Sequence, residues 1–127
     1  MVPTGGATGA TGPRPVRVVC SLTVPAGATV PEAPVTVHLE ILDVSLADAP
    51  ATPVARVDVV ATGAGELAGP YRIDAGLTPG RQYAVSAHVD CSGDGSIAPG
   101  DLLTTTRVVV PVDDDTVLLD VPLTEIG

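Results

Sequence analysis

"VTVHLEIL", Val35 to Leu42, is the stretch whose reading decides the fold class. Val35, Val37, Leu39 and Ile41 alternate with Thr36, His38 and Glu40. A period of two places the first set on one face of a strand and the second on the other. On a helix the same residues would scatter around the axis, so the stretch predicts a half-buried β-strand. Upstream, Val16, Val18, Cys20, Leu22 and Val24 alternate with Arg17, Val19, Ser21 and Thr23. Downstream, "VARVDVV" sets Val57 and Val59 against Arg56 and Asp58, and "PYRID" turns Tyr71 and Ile73 inward. "QYAVSAHVD" sets Tyr83, Val85, Ala87 and Val89 against Ser86, His88 and Asp90. "LLTTTRVVVPV" is less regular, with Leu102, Val108 and Val110 as core candidates, and "TVLLDVPL" offers Val117, Leu119, Val121 and Leu123.

These seven short strands are separated by Gly, Pro and Asp clusters, and no segment sustains a helical period. The expected fold is all-β: a single seven-stranded antiparallel β-sandwich, Ig-like or prealbumin-like, over residues 14–127. With consecutive strands antiparallel, loops 25–34, 62–69 and 91–101 share one end, and loops 44–53, 75–80 and 113–115 the other. Residues 1–13 are low in complexity, and "GATGATGPR" (Gly6 to Arg14) reads as three Gly-x-y triplets, too few for a collagen triple helix. They are expected to form a flexible leader.

Composition narrows the function classes. The chain has 127 residues and 45% hydrophobic residues, but Tyr71 and Tyr83 are its whole aromatic content, so the core must be aliphatic. Net charge is −9, with six basic residues scattered along the chain. Such a surface repels a phosphate backbone and an anionic membrane, which argues against nucleic acid as a partner. No apolar run approaches the roughly 18 residues of a membrane span.

One loop carries candidate chemistry. "VDCSGDGSIAPGDLL" (Val89 to Leu103) spaces Asp90, Ser92 and Asp94 at alternate positions, with Gly95 next. Ser96 would offer its carbonyl, Ile97 an apolar anchor, and Asp101 closes the loop at the twelfth position, the spacing of a calcium loop. Ca²⁺ is therefore the expected ion, with Asp90, Ser92, Asp94, Ser96 and Asp101 as ligands. The alternative is an acidic, glycine-rich hairpin without an ion. Cys20 and Cys91 lack the spacing of a zinc site, and the sequence leaves open a single disulfide between them in an oxidising compartment. His38 and His88 both point outward, and strands two and five are neighbours in many Ig-like sheets. A cross-strand pair there could hold a transition metal, although no third ligand is evident and two surface histidines are the simpler reading.

The stretch 24–59 resembles the YbaY/YscW-type lipoprotein family, most closely at "DVSLADAPA" (Asp43 to Ala51). "PYRIDAGLTPGRQYAVSAHV" is similar to that family's second block, a short strand followed by an Arg-x-Tyr strand. The resemblance spans roughly residues 16–112. It implies a small β-sandwich of the bacterial envelope without catalytic activity, in a family where some members are pilotins that escort type III secretion secretins to the outer membrane. The family's lipobox cysteine and signal segment have no counterpart in these residues, and the acidic loop is an addition.

Catalytic patterns are lacking: no Gly-x-Ser-x-Gly and no His-Glu-x-x-His occurs, and Ser86 beside His88 makes no triad. The sequence thus leads to a non-catalytic domain of the cell envelope or extracellular space, with a cytoplasmic location left open. Its expected partner is another envelope protein, and it is expected to be a monomer or weak oligomer. The alternative is a secreted or surface structural module whose acidic loop is a metal-free turn.

Overall fold

The computed structural model describes residues 12–28, 30–46, 48–93, 95–105, 107–112 and 114–126; the leader expected over 1–13 lies almost wholly outside these. The described strands are β1 (Arg14–Thr23), β2 (Val35–Asp43), β3 (Thr52–Ala61), β4 (Tyr71–Leu77), β5 (Tyr83–Asp90), β6 (Leu102–Leu103), β7 (Val108–Val109), β8 (Thr116–Pro122) and β9 (Thr124–Glu125). One short helix, α1 (Gly63–Leu67), lies between β3 and β4. The larger sheet runs β9-β6-β5-β2-β3, with β7 also on β5, and the smaller runs β4-β1-β8.

The alternation that predicts the strands also sets their burial. Val35, Val37, Leu39 and Ile41 of β2 are buried, as are Val16, Val18, Cys20 and Leu22 of β1. They join Ile73 and Leu77 of β4, Val85, Ala87 and Val89 of β5, and Val117 and Val121 of β8 in one core between the sheets. Each fully buried Val, Leu or Ile side chain contributes about 1.5–3 kcal/mol. A one-residue slip of β2 would turn four of them to solvent, so its register is firmly specified. Leu67 of α1 closes one end of this core, and the Tyr71 hydroxyl donates to the Leu67 and Glu66 carbonyls at 2.9 and 3.0 Å.

Two expectations about the strands need correction. There are nine described strands rather than seven, because the sixth breaks into β6 and β7 and β9 is added. The break has a local cause at Thr104. Its hydroxyl accepts from the Ala87 N–H at 2.9 Å and donates to the Ala87 carbonyl at 3.3 Å, taking the place of a ladder partner. The pairing is also not all antiparallel: β8 runs parallel to β1, from Arg17↔Thr116 to Thr23↔Pro122. The chain crosses from the larger sheet to the smaller and enters β8 beside the start of β1. There the Arg17 N–H donates to the Asp115 carbonyl at 2.8 Å and Arg14 pairs with the Asp115 carboxylate.

The ends of the sandwich are arranged as the strand order demands. Segments 44–46 and 79–82 meet through the Val44 N–H donating to the Gln82 carbonyl at 2.8 Å and through the Arg81–Asp43 ion pair. At the other end the Leu22 N–H donates to the Ala68 carbonyl at 2.9 Å.

Candidate functional site

The acidic loop follows β5 directly. Asp90 and Asp101 are both buried, at 5% and 0% exposure, which is costly for carboxylates unless they are well partnered. They are well partnered. Asp90 Oδ1 accepts from the Gly93 N–H at 2.9 Å and the Ser92 hydroxyl at 3.0 Å, and Oδ2 accepts from the Gly95 N–H at 2.8 Å. Gly95 has φ +79°, a left-handed conformation that lets the chain fold back on Asp90 without a Cβ penalty. Asp101 Oδ1 accepts from the Cys91 and Ser92 N–H groups at 2.9 and 3.2 Å. Its Oδ2 accepts from the Ala98 N–H at 3.1 Å and lies 2.8 Å from His88 Nε2. Burial works against both charges but is outweighed: by the Gly95 and Gly93 amides and Ser92 for Asp90, and by His88 and the Ala98, Cys91 and Ser92 amides for Asp101. Both carboxyls are held below the ordinary range.

A carboxylate offers about four lone-pair sites, and Asp101 has all four engaged by the loop's own N–H groups and by His88. The residue expected to close a calcium cage instead ties the loop to itself. Asp90 has one site to spare, Ser96 is exposed, and Asp94 lies outside the described residues. Asp90 and Asp101 are thus tied into the loop's own hydrogen-bond network.

The disulfide left open by the sequence is not formed: Cys20 and Cys91 are both free thiols. Cys20 is in mid-strand in the smaller sheet, opposite Tyr71 and Leu119, whereas Cys91 follows β5 of the larger sheet. Burial pushes the Cys20 thiol up to about 11 and raises that of Cys91.

The histidines do meet. His38 on β2 is the direct cross-strand partner of His88 on β5, and their rings stack with centroids 5.4 Å apart and planes 29° apart. His38 Nδ1 lies 2.7 Å from Asp58 Oδ1 on the flanking strand β3. The outer face of the larger sheet thus carries a row of Asp58, His38, His88 and Asp101.

A second feature was not read from the sequence. Between segments 79–83 and 107–112 lies a cavity of about 320 Å³, lined among others by Val44, Tyr83, Val109, Val112, Arg81 and Arg107. A neighbouring hollow shares Val44, Gln82 and Arg107 and extends to Leu46. Leu46 and Val109 are 62% and 59% exposed. Among the described residues Arg14, Arg17, Arg56, Arg72 and Arg81 all pair with carboxylates, and Arg107 does not. In a chain of net charge −9 an unpaired cation beside exposed aliphatics is conspicuous. The sequence signal was slight: one arginine ahead of three valines in the least regular strand.

No known protein family matches the chain, and neither does any curated protein. The YbaY/YscW resemblance is therefore not confirmed at the level of the family. Among solved structures the chain is similar to an alternative pilotin from the type II secretion system of Vibrio cholerae. The likeness has a TM-score of 0.66 at 22% identity and covers 88% of this chain and 99% of that one. At that identity it establishes a shared fold. No described helix is long and apolar enough to cross a membrane.

Proposed function

We propose that this chain is a non-catalytic, pilotin-like binding domain of the cell envelope, acting in the assembly of a secretion system. The observation that carries this reading is the fold shared with a type II secretion pilotin over nearly the whole of both chains. The site geometry agrees with it: the buried carboxylates are engaged in holding a loop, and neither described cysteine is poised as a thiolate. The groove around Arg107 is the surface best suited to a partner. It combines exposed Leu46 and Val109 with an unpaired guanidinium, which suits an apolar segment bearing a carboxylate. The test is deletion of the gene in its native cells, followed by fractionation. The expected result is that a secretion-channel subunit fails to reach the outer membrane, and that wild-type protein restores it while Arg107→Glu does not. Normal placement of every channel subunit in the deletion strain would overturn the proposal.

A further inference from the structure

We propose that β3 is a dimerisation edge, at which a second copy of this chain adds its own β3 antiparallel and centred on Val57. β3 (Thr52–Ala61) is the last strand of the larger sheet: it pairs with β2 on one side, and no described strand pairs with its other side. Such an edge presents N–H and C=O groups to any strand of matching pattern, and proteins usually blunt it with proline, a bulge, lysine or a short strand. Here Pro53 and the register shift opposite Ile41 and Leu42 blunt only its start. From Ala55 to Ala61 the strand pairs with β2 without a break, and the chain contains no lysine.

The edge is complementary to itself, and this identifies its occupant. "VARVDVV" (Val54 to Val60) exposes Val54, Arg56, Asp58 and Val60, while Ala55, Val57 and Val59 are partly buried and pack against the core. A two-fold axis at Val57 sets Arg56 opposite Asp58 of the second copy and Asp58 opposite Arg56 of the second copy. It also brings Val54 and Val60, 41% and 64% exposed, against one another across the seam. On the core side Ala55 meets Val59, so the rim of each core continues into the other. Moving the axis by one residue sets Arg56 against Arg56 or Asp58 against Asp58, and a half-step opposes the outer row to the inner one. Parallel pairing in register also sets like charges side by side. The row of charges continues across the seam: Glu40 of β2 is the cross-strand partner of Arg56, and His38 that of Asp58. Arg56 Nε binds Asp58 of its own chain at 3.2 Å, which holds both half-exposed side chains on this face. β8, an edge of the smaller sheet, exposes Leu118 and Asp120 with no basic residue along the strand to answer them. The β3 edge uses none of the residues that line the Arg107 groove, and the proposal is independent of the pilotin-like reading.

The experiment is sedimentation velocity on the full chain under reducing conditions, from micromolar to millimolar concentration. A reversible monomer–dimer equilibrium is expected. Arg56→Asp and Asp58→Arg each set like charges opposite one another, twice per dimer, and each should weaken self-association at least about tenfold. Mixed together, the two variants restore both opposite-charge pairs, so the mixture should dimerise about as well as wild type. Val60→Glu, at an exposed position, should also weaken the dimer. Hydrogen exchange should show the outward-facing amides of 55–59 gaining protection with concentration, and those of β8 unchanged. A chain that stays monomeric at millimolar concentration, which would leave the edge to a strand of another protein, overturns the proposal. So does a dimer that tolerates both charge variants, or a mixture of folded variants that fails to associate. Should either charge variant lose its fold, Val60→Glu decides: a dimer as tight as wild type overturns the proposal.

Discussion

Asp101→Ala is the substitution that most sharply tests how the acidic loop is built. The Asp101 carboxylate is fully buried and accepts from three backbone N–H groups, at Cys91, Ser92 and Ala98, besides meeting His88. Alanine leaves those donors without a protein partner at the junction of β5 and the loop. A buried polar group stranded in this way costs about 1–3 kcal/mol. Water entering the vacated space recovers part of that for three amides, so the expected loss is about 3–5 kcal/mol. That is a large share of the roughly 5–15 kcal/mol that holds a domain together. Asp101→Asn keeps one oxygen for the Cys91 and Ser92 amides and turns an NH₂ toward Ala98, so it should lose roughly half as much. Urea unfolding followed by far-ultraviolet circular dichroism reads these differences. With slopes of about 1–3 kcal/mol per molar, Asp101→Ala should lower the midpoint by roughly 2 M. Asp114→Ala, at an exposed position, is the control and should leave it in place. A loss below about 1 kcal/mol for Asp101→Ala would refute the account of Asp101 as an internal anchor.

The same architecture makes further commitments. Calcium should not be needed: thermal midpoints in excess EDTA and in excess Ca²⁺ should agree, whereas occupancy at 100 times Kd would add about 2.7 kcal/mol and raise the midpoint by several degrees. Acid should destabilise the domain. Asp43 is lowered to about 2 by the Ser45 hydroxyl and Arg81, and Asp90 and Asp101 lie below the usual range. Their contribution is therefore complete above an unfolded value of about 3.9 and disappears as pH falls from about 4 toward 2. Urea midpoints measured from pH 7 to pH 2 should show that decline, and a flat profile would contradict it. Gly69→Ala should destabilise strongly, since φ is +93° and a Cβ there would lie 2.9 Å from the Tyr71 ring and 3.1 Å from the Cys20 carbonyl. Gly65→Ala in α1, where a Cβ meets nothing within 4 Å, should be neutral or stabilising by up to about 1 kcal/mol on the same urea assay.

The strands were legible because one face of each is buried, and burial imposes a period of two that any reader of Val35–Leu42 or Tyr83–Asp90 can see. The meeting of His38 and His88 was legible for the same reason: once β2 and β5 are neighbours, two outward residues at matching register must face one another. The break at Thr104 was not, because it depends on a hydroxyl finding Ala87 across the sheet, and alternation carries no record of that contact. Nor was the parallel β1–β8 pair, since a strand looks the same in sequence whichever way its neighbour runs. The anchoring role of Asp101 was not legible either, because spacing locates oxygens along the chain but not the direction in which they point. Asp101 points inward to the amides of Cys91, Ser92 and Ala98, and only the folded backbone shows it. Arg107 stood out only once the other five arginines were seen in ion pairs.

The central claim is that this domain binds a secretion-system partner through the groove beside Arg107. The direct measurement is photo-crosslinking in native cells from a reactive residue placed at Val109, with Leu118 as a control, since Leu118 is 77% exposed and belongs to the smaller sheet. Mass spectrometry then identifies what each position captures. The account predicts that position 109 captures a subunit of a secretion channel and that position 118 does not. No adduct from position 109, or the same adducts from both positions, would contradict it.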